Sequence, residues 1–369
     1  MQVAQPVLGI LTLYLNNKKH LEERHIYQRM ITEGQKLGLD VFVFTPMDVD
    51  YKRNKIHALI YDPGQRKWSR KWRSFPHMIF DRCRIQHSVR FEQLKRFRAR
   101  YRNMTFLNRP LRDKWTVYQT LLGKSRFRPY LPETTLFHNT ANVSAMLKKY
   151  PTVYIKPING TGGRGILRVE KIGKDTFYIQ GRKLNRKIIP AQKLHKSRLI
   201  PYLIGWKSGK RFVAQRGIQI ELPSGRVHDY RMLVQKNGQG VWQVTGCAGR
   251  IGPPRSITSN LHGGGQAVPM NTLLRQIAPI EENLQEIRQT AEKMSVEVAA
   301  YLEESYGALC ELALDLAIDR NGKIFILEVN PKPAREVFIQ SGDPEAYHYS
   351  IVRPLEYALW VYKHKVAPS

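Results

Sequence analysis

Apolar residues in the first fifty positions form two short runs separated by one amphipathic segment. The runs cover 7–15 and 39–44, and between them Ile26, Met30 and Leu37 recur at helical spacing. Short apolar runs bounded by turn residues predict buried strands, whereas a period near 3.6 residues predicts an amphipathic helix. The chain is therefore expected to begin with a strand, a helix and a strand, which together make a βαβ unit.

In the segment that follows, the hydrophobic runs are shorter and charged residues are more frequent. Further strands are predicted at 56–61 and 77–80, separated by a polar, Trp-containing turn around Asp62-Pro63-Gly64. From 87 to 101, three apolar residues recur at helical spacing beneath many arginines. This pattern predicts a helix with a basic outer face.

The second half of the chain predicts a glycine-rich hairpin, several strands and one long helix. The stretch 152–168 is expected to be a strand, a loop and a strand, and the runs 212–222, 231–235 and 243–248 are expected to be strands of one sheet. The longest helix is predicted at 282–302, and strands at 312–318 and 323–329 flank the hairpin turn Asp319-Arg320-Asn321-Gly322.

The length and the change of pattern near residue 107 predict more than one packed unit. With 369 residues, of which 42% are hydrophobic, the chain exceeds one ordinary core. The predicted class is α/β, built from small α+β units. We expect three segments at 1–107, 108–212 and 213–369, the second beginning with a short helix at 112–122.

The charge of the chain is strongly positive and unevenly distributed. Lys and Arg number 60 against 30 Asp and Glu, giving a formal net charge of +30, and only Asp81 and Glu92 are acidic between Arg66 and Arg102. Such a field favours an anionic partner, whether nucleic acid, an acidic polymer or a charged surface. No motif that reads a base sequence accompanies it, so a specific nucleic-acid partner is not expected. A solvated basic face without a dedicated partner remains the alternative.

The cysteines and the apolar runs bear on the compartment. Cys83, Cys247 and Cys310 lie far apart without a CxxC spacing, which is typical of free thiols in a reducing compartment. The run 7–15 lacks the flanks of a signal peptide, and no stretch approaches the ~20 apolar residues that cross a bilayer. We expect a cytoplasmic protein without a membrane span.

The sharpest local motif is a lysine followed by a glycine-rich loop, Val153-Tyr154-Ile155-Lys156-Pro157 and then Asn159-Gly160-Thr161-Gly162-Gly163-Arg164-Gly165. Glycines free backbone N–H groups, and a lysine at a strand end adds a point charge, so the pair is suited to a polyphosphate. In a Walker A motif the lysine follows the glycines and the loop opens a helix, whereas here it precedes them and strands lie on both sides. A flexible hairpin turn is the alternative.

A second candidate site is formed by polar residues inside apolar strands near the C-terminus. Glu328 and Asn330 are two positions apart and so face the same side of a strand, and the hairpin turn folds Asp315 beside them. Oxygen ligands without Cys or His suit Mg²⁺ completed by phosphate oxygens and water. The alternative is a surface Asp315 and a paired Glu328. We favour the metal site because unpartnered acids in apolar strands are costly.

Together these motifs resemble the ATP-grasp superfamily from about Asn108 to Val337. The resemblance implies two α+β subdomains that close on ATP, here 108–212 and 213–369, and an N-terminal α/β domain, 1–107, that helps to form the acceptor site. Lys114 and Lys156 resemble the two phosphate-binding lysines of the family. The glycine-rich loop, with Gly160, Thr161, Gly162, Gly163 and Gly165, resembles the loop that covers the phosphates.

Other positions match the family motif one by one. The strand with Gln215, Arg216, Gly217 and Ile218 resembles the hinge that holds adenine, although the glutamate often found there is Gln or Arg here. Arg231 lies in an Asp-x-Arg motif, and Arg250 resembles the arginine that meets the transferred phosphate. Asn260 lies in an Asn-Leu-His-x-Gly-Gly run similar to that of glutamate-adding ligases, and Asp315, Glu328 and Asn330 match the family's metal ligands in order and spacing.

The chain is more specifically similar to the endospore coat-associated YheC/YheD proteins of spore-forming bacteria. This similarity rests on Gln215-Arg216-Gly217-Ile218, Gln243-Val244-Thr245-Gly246 and Ser259-Asn260-Leu261-His262. It implies an association with the spore coat, where an anionic polymer or the coat surface is the expected partner of the basic segment.

The resemblance implies a chemistry with ATP and Mg²⁺. Lys156, Arg231 and Arg250 are the expected catalytic residues of a carboxylate-amine or thiol ligase: an unidentified carboxylate attacks ATP to give an acyl phosphate, and an amine then displaces phosphate. Two other classes remain open. One is a coat scaffold that binds nucleotide without turnover, and the other is a polyanion- or nucleic-acid-binding protein.

Overall fold

The computed structural model describes residues 5–84, 88–160, 162–207, 209–277 and 280–367. Within them the chain forms three β-sheets in succession, each covered by helices. Thr161, one of the predicted loop residues, lies outside the described residues.

The first sheet confirms the predicted βαβ beginning. Strands β1 and β2 are connected by helix α1 and pair in parallel. Strand β6 pairs in parallel with the other side of β1. The strand order is β3-β4-β2-β1-β6-β7, with β5 added beside β4. The elements are β1 (Val7–Leu11), α1 (Arg24–Lys36), β2 (Asp40–Phe44), β3 (Val49–Asp50), β4 (Lys55–Asp62), β5 (Lys67–Arg73), β6 (Met78–Asp81), α2 (Val89–Arg100) and β7 (Thr105–Phe106).

The polar segment predicted as part of a turn contains a strand. Strand β5 pairs antiparallel with β4, placing Trp68 opposite Tyr61 and Trp72 opposite His57. The ring centroids of these pairs are 5.3 and 4.8 Å apart. Cross-strand aromatic pairs stabilise a sheet, and here they hold a strand whose remaining residues are mostly basic.

The second sheet contains the glycine-rich hairpin. Its order is β12-β11-β10-β9-β13-β8, and all its pairings are antiparallel. The elements are α3 (Lys114–Leu122), β8 (Thr134–Leu136), α4 (Thr140–Lys149), β9 (Thr152–Pro157), β10 (Ile166–Lys171), β11 (Thr176–Arg182), β12 (Ile188–His195), α5 (Lys196–Lys207) and β13 (Phe212–Arg216).

The prediction that 212–222 belongs to one sheet with 231–235 and 243–248 was wrong. Strand β13 ends at Arg216 and is hydrogen-bonded between β9 and β8. The pairing buries Phe212 and Ala214 in the second sheet's core, a long-range choice that the local apolar pattern does not encode.

The third sheet carries the predicted C-terminal hairpin. Its order is β16-β15-β14-β17-β18, and the turn between β17 and β18 closes as expected, with Gly322 at φ +76° donating its N–H to Asp319 O at 2.9 Å. The elements are β14 (His228–Lys236), β15 (Trp242–Ile251), β16 (Gln266–Pro269), α6 (Met270–Leu274), α7 (Glu281–Tyr306), β17 (Glu311–Ile318), β18 (Ile324–Asn330), α8 (Glu336–Gln340) and α9 (Pro344–Val361).

A buried ion network joins the first and third sheets. The Arg82 guanidinium contacts the carboxylates of Glu23 and Glu311, and Arg335 Nη2 lies 2.6 Å from Glu311 Oε2. The Arg82, Glu311 and Arg335 side chains are fully buried. Removing one member of such a network typically costs about 3–5 kcal/mol, because its partners remain buried and unpaired. Their attraction holds the first sheet against β17.

Two basic residues expected on the solvated face of the first segment lie inside the protein. Arg82 belongs to the buried network, and Arg98 binds Asp81 with only 17% of its side chain exposed. The residues of α2 that do face solvent include Lys95, Arg96 and Arg100. The basic field is therefore narrower than the sequence predicts.

The cysteine thiols form no disulfide bond with one another. Cys83, Cys247 and Cys310 are free, as predicted, and the first and third are buried. Within the described ranges, no helix combines the length and apolar character needed to cross a membrane. The division into domains at 107 and 212 stays a prediction.

Candidate functional site

Residues from all three sheets line one cavity of about 1450 Å³. The predicted site residues among its lining are Lys114, Lys156, Gly160, Gly162, Gly163, Gln215, Arg216, Ile218, Arg231, Arg250, Asn260, Asp315, Glu328 and Asn330. Positions that are up to about two hundred residues apart in sequence thus meet in one cleft. Gly165 and Gly217 are not part of the lining.

Lys156 is half-buried at the end of β9. Its Nζ donates to Gln215 Oε1 at 2.7 Å, and Gln215 Nε2 in turn donates to Thr134 Oγ1 at 3.1 Å. Burial, with a smaller contribution from the charge of Lys114, lowers the pKa of Lys156 to about 8, although nearby carboxylates oppose the shift. An ammonium held with a neutral partner in a buried position gains most from an incoming anion.

Lys114 is the first residue of α3, so its side chain reaches the cleft from a fixed helix end. Asp113 caps this helix, accepting a hydrogen bond of 3.0 Å from Thr116 N. Lys114 Nζ lies 3.4 Å from Glu328 Oε1, where it pairs with a predicted metal ligand. Lys114 and Lys156, the two predicted phosphate-binding lysines, therefore lie near Glu328.

The glycine-rich loop joins β9 to β10 and approaches the third sheet. Gly162, Gly163 and Gly165 have φ between +63° and +70°, a region that favours glycine. A Cβ on Gly163 would lie 2.3 Å from Asn260 Nδ2, so a side chain at this position would displace that amide or the loop. This contact brings the loop and the Asn-Leu-His run together.

Charged residues of opposite sign form a row across β15, β14 and β17. Arg250 Nε and Nη2 donate to the two Asp229 oxygens at 2.7 and 2.6 Å. Arg231 binds Asp315 in the same two-point manner, at 2.6 and 3.1 Å, and Arg250 Nη2 also lies 3.1 Å from Asp315 Oδ2. Planar guanidinium groups that bind carboxylates in this way can also bind phosphate.

The Asp315 carboxylate stays ionised in its buried position. Burial alone would raise its pKa, but Arg231 and Arg250 outweigh that effect and lower it to about 2. Glu328 is its neighbour on β18, in the register of the strand pair. The site thus presents two carboxylates that are already paired with cations, Asp315 with the two arginines and Glu328 with Lys114.

The donor set fits a magnesium ion. It offers the carboxylates of Asp315 and Glu328 and the amide of Asn330, whose Nδ2 is buried without a hydrogen-bond partner among the residues that the structure describes. Because that amide has no competing bond, it is free to present its oxygen to a cation. Carboxylate and amide oxygens are ligands that Mg²⁺ prefers.

The predicted hinge is only partly directed at the cleft. Gln215 and Ile218 are buried and line it, whereas Gly217 packs against Thr152, donating its N–H to Thr152 O at 2.8 Å. The Arg216 guanidinium lies over the Tyr150 ring, 5.0 Å from its centroid. Whether this strand holds adenine stays a prediction.

Several residues of the cleft were absent from the predicted site. Asp229 holds Arg250, and its signal was the Asp-x-Arg spacing with Arg231. Asp81, Arg98 and Lys332 also line the cavity. Lys332 lies two residues after Asn330, but nothing local indicates that it meets Asp81, which is 251 positions away.

The comparison with solved structures shows the fold. D-cycloserine synthetase DcsG has a TM-score of 0.55 over 95% of this chain and 99% of the other, at 12% sequence identity. The fold is the ATP-grasp fold, as predicted, with mixed α/β content.

Family membership is more specific. The chain belongs to the family described as YheC/D-like ATP-grasp, which matches residues 103–361. It is 26% identical over 363 residues to the endospore coat-associated protein YheC of Bacillus subtilis (strain 168), covering 96% of this chain and 97% of YheC. It is 25% identical to YheD of the same organism, covering 96% of this chain and 79% of YheD.

Proposed function

We propose that the cleft binds ATP with Mg²⁺ and that the protein is a carboxylate-amine ligase. The observation that carries the proposal is the meeting, in one cavity, of Lys114 from helix α3 and Lys156 from the second sheet with the arginine-carboxylate row of the third. Lys114 and Lys156 bring positive charge to the same space as Asp315 and Glu328. Such a space suits a triphosphate accompanied by a divalent cation.

The charge balance favours an anionic ligand. Four cations of the site, Lys114, Lys156, Arg231 and Arg250, face three carboxylates, Asp229, Asp315 and Glu328. A triphosphate would add negative charge beside the lysines, and a divalent cation would add positive charge beside the acids. Each partner of the existing ion pairs then has a second, oppositely charged neighbour.

Asp315, Glu328 and Asn330 would hold the magnesium. Bound there, the ion would neutralise charge on the phosphate oxygens and so favour transfer of the terminal phosphate. Arg231 and Arg250, now paired with Asp315, are long enough to donate to phosphate oxygens without leaving their strands. Their exchange of partners links nucleotide and metal binding.

The proposed reaction has two steps. A carboxylate oxygen of the substrate attacks the γ-phosphorus, and the bond to the β-γ bridging oxygen breaks. The products are ADP and an acyl phosphate. An amine nitrogen then attacks the acyl carbon, the C–O bond to phosphate breaks, and the departing phosphate takes the amine proton. Lys156 and Arg250 stabilise the charge that develops on phosphate, and the loop from Gly160 to Gly165 shields the acyl phosphate from water.

Ligand-dependent thermal stability tests the nucleotide site. Mg-ATP should raise the Tm of the wild type, and Lys156→Ala should remove most of the shift, because the ammonium that faces the triphosphate is lost. Lys193→Ala is the matched control, since Lys193 is an exposed lysine of the same sheet outside the cavity. Equal shifts in all three proteins would exclude Lys156 from a nucleotide site.

Turnover distinguishes a ligase from a nucleotide-binding coat scaffold. The two curated relatives are named for an association with the endospore coat, and we infer such an association, after synthesis in the cytoplasm, for this chain. A screen for ADP release with pooled amino acids, acidic peptides and cell-wall precursors separates the two functions. Nucleotide binding without ADP release from any pool would favour the scaffold.

A further inference from the structure

The end of the cleft beside the first sheet carries a second charged group of residues. It consists of Arg98 and Lys332, which pair with Asp81, and of Arg109 and Arg112, and all five residues line the cavity. We call this group the cationic wall. None of its members belongs to the proposed nucleotide and metal site.

The wall lies where a parallel sheet is suited to receive a ligand. Chain order reverses between β1 and β6, because β2 lies on one side of β1 and β6 on the other. Asp81 ends β6 and pairs in register with Leu11, the last residue of β1. In open α/β sheets, the crevice outside the carboxyl ends of strands at such a reversal is the usual place for a ligand.

Two cations of the wall share one carboxylate. Lys332 Nζ lies 2.7 Å from Asp81 Oδ1, and Arg98 Nη2 lies 2.6 Å from Asp81 Oδ2. Only 9% of the Lys332 side chain and 17% of the Arg98 side chain are exposed. Burial raises the pKa of Asp81, but Lys332 and Arg98 outweigh it and lower that pKa to about 2, so the carboxylate is already ionised. One positive charge is left uncompensated, which is costly away from water.

The other two cations have no acidic partner among the described residues. Arg109 donates to the backbone oxygen of Arg102 at 2.9 Å and lies over the Phe106 ring. Arg112 is exposed at the cavity edge. Both guanidinium groups therefore have donors available for an anion.

The wall is close to the phosphate end of the cleft. Lys332 follows Asn330 by two residues, so their Cα atoms are at most about 7 Å apart. This short backbone separation favours a small molecule whose two anionic groups are roughly one amino-acid residue apart, one at the metal residues and the other at the wall.

We propose that the cationic wall binds a second anionic group of the carboxylate substrate. The substrate class is then a compound with two anionic groups about one residue apart, one activated and the other held by Arg98 and Lys332. The second group is a carboxylate or a phosphate, since both accept hydrogen bonds from guanidinium and ammonium groups. This inference rests on the proposed ligase function.

Matched small peptides test the charge requirement. Acetyl-Glu-Gly and acetyl-Gln-Gly keep the terminal carboxylate and differ in one charge, and acetyl-phosphoserine-glycine and acetyl-Ser-Gly provide the phosphate arm. Calorimetry with Mg²⁺ and a non-hydrolysable ATP analogue should show a charged probe binding at least about tenfold more tightly than its neutral partner, as one charged hydrogen bond provides. The arm with the larger ratio identifies carboxylate or phosphate.

Variants assign the preference to the wall. Arg98→Gln and Lys332→Gln should lower the charged-to-neutral ratio toward one while leaving affinity for the ATP analogue unchanged. Because both side chains are partly buried, Arg112→Gln gives a second measurement in a residue whose loss leaves no partner unpaired. Lys71→Gln, an exposed residue of β5 outside the cavity, should have no effect.

The outcomes separate this inference from the proposed function. Bound nucleotide together with equal affinity for charged and neutral probes, or with no binding of either charged probe, would overturn the wall as a substrate site. Failure of the ATP analogue to bind would instead reject the ligase proposal, and the probe ratios measured without nucleotide would then decide whether the wall binds anions.

Discussion

Lys156 Nζ and Gln215 Oε1 are 2.7 Å apart, on adjacent antiparallel strands of the second sheet. The amide is a neutral partner and cannot offset the cost of burying the ammonium charge. The pKa of Lys156 therefore falls to about 8. A triphosphate beside Lys156 would favour the charged form, so nucleotide binding and protonation of this lysine should be linked.

Nucleotide affinity should fall as the pH rises above about 8. In that range free protein carries a neutral Lys156, and binding of a triphosphate must take up a proton, so affinity can decline up to about tenfold per pH unit. Calorimetry of the ATP analogue from pH 7 to 10 measures the slope. Lys156→Arg keeps its charge throughout and should show a flatter profile. Identical slopes would mean that Lys156 does not titrate with the ligand.

The Lys156 ammonium also makes the free energy of unfolding depend on pH. Its folded pKa lies below the unfolded value of 10.5, so the unfolded chain binds more protons between about pH 8 and 10.5. The free energy of unfolding of the wild type, relative to Lys156→Met, should therefore rise with pH across that window. Urea unfolding at each pH provides the comparison.

The sequence predicts the site better than it predicts the wall. Strand alternation predicts Glu328 and Asn330 on one side of β18, and both residues line the cavity. The hairpin turn places Asp315 opposite Glu328, a relationship that spans few residues. Asp81 and Lys332 are separated by 251 positions and meet only because two sheets pack together. No local pattern carries that information.

The errors in the predicted fold have a similar cause. Strand β5 has few apolar residues, and its pairing depends on aromatic residues of β4 that face it. Arg82 is basic and was expected on the surface, yet Glu23 and Glu311 are buried around it. Local hydrophobicity predicts burial correctly only where no distant residue of opposite charge pairs with a charged side chain.

Magnesium binding should depend on nucleotide. Arg231 and Arg250 occupy the Asp315 oxygens, so Mg²⁺ alone should bind only weakly, and nucleotide should tighten it by drawing the arginines toward phosphate. Asp315→Asn should remove this coupling and raise affinity for Mg-free ATP, because both arginines are released. Calorimetric titrations of each ligand, with and without the other, measure both effects.

The control is Asp319→Asn, in the turn of the same hairpin. Asp319 Oδ1 accepts hydrogen bonds from Asn321 N and Lys323 N, which an asparagine side chain can replace. This variant should keep the wild-type coupling. Tight binding of Zn²⁺ or Ca²⁺ to wild type without nucleotide would contradict the metal assignment.

Two adjacent glycines allow strain and contact to be separated. Alanine at Gly162 or Gly163 must adopt a positive φ, which costs about 1–2 kcal/mol, but only at Gly163 would the new Cβ meet the Asn260 amide. Both variants should lower the Tm slightly. Only Gly163→Ala should weaken ATP binding by about tenfold or more, because the loop is displaced from Asn260. Equal losses of affinity would show that this contact does not position the loop.

The exposed basic residues at the end of α2 provide a test of polymer binding. Arg96 and Arg102 are exposed and have no acidic partner within the described ranges. We propose that they contribute to binding an anionic polymer by charge density and not by reading a base sequence. Affinity for polyglutamate, heparin and unrelated DNA should then fall in parallel as salt is raised.

Charge reversal at two positions distinguishes a local surface from the net charge of the chain. Arg96→Glu with Arg102→Glu should weaken binding to all three polymers and make its dependence on salt about two units shallower. Lys187→Glu with Lys193→Glu changes the net charge equally on exposed residues of the second sheet, so it should have a much smaller effect. Affinity for Mg-ATP should stay unchanged in both, because none of the four residues lines the cavity.

Equal weakening by the two double variants would mean that the polymers respond only to net charge. A preference of about a thousandfold for one DNA or RNA sequence at physiological salt is the mark of specific recognition, and it would replace the polymer with a nucleic-acid partner.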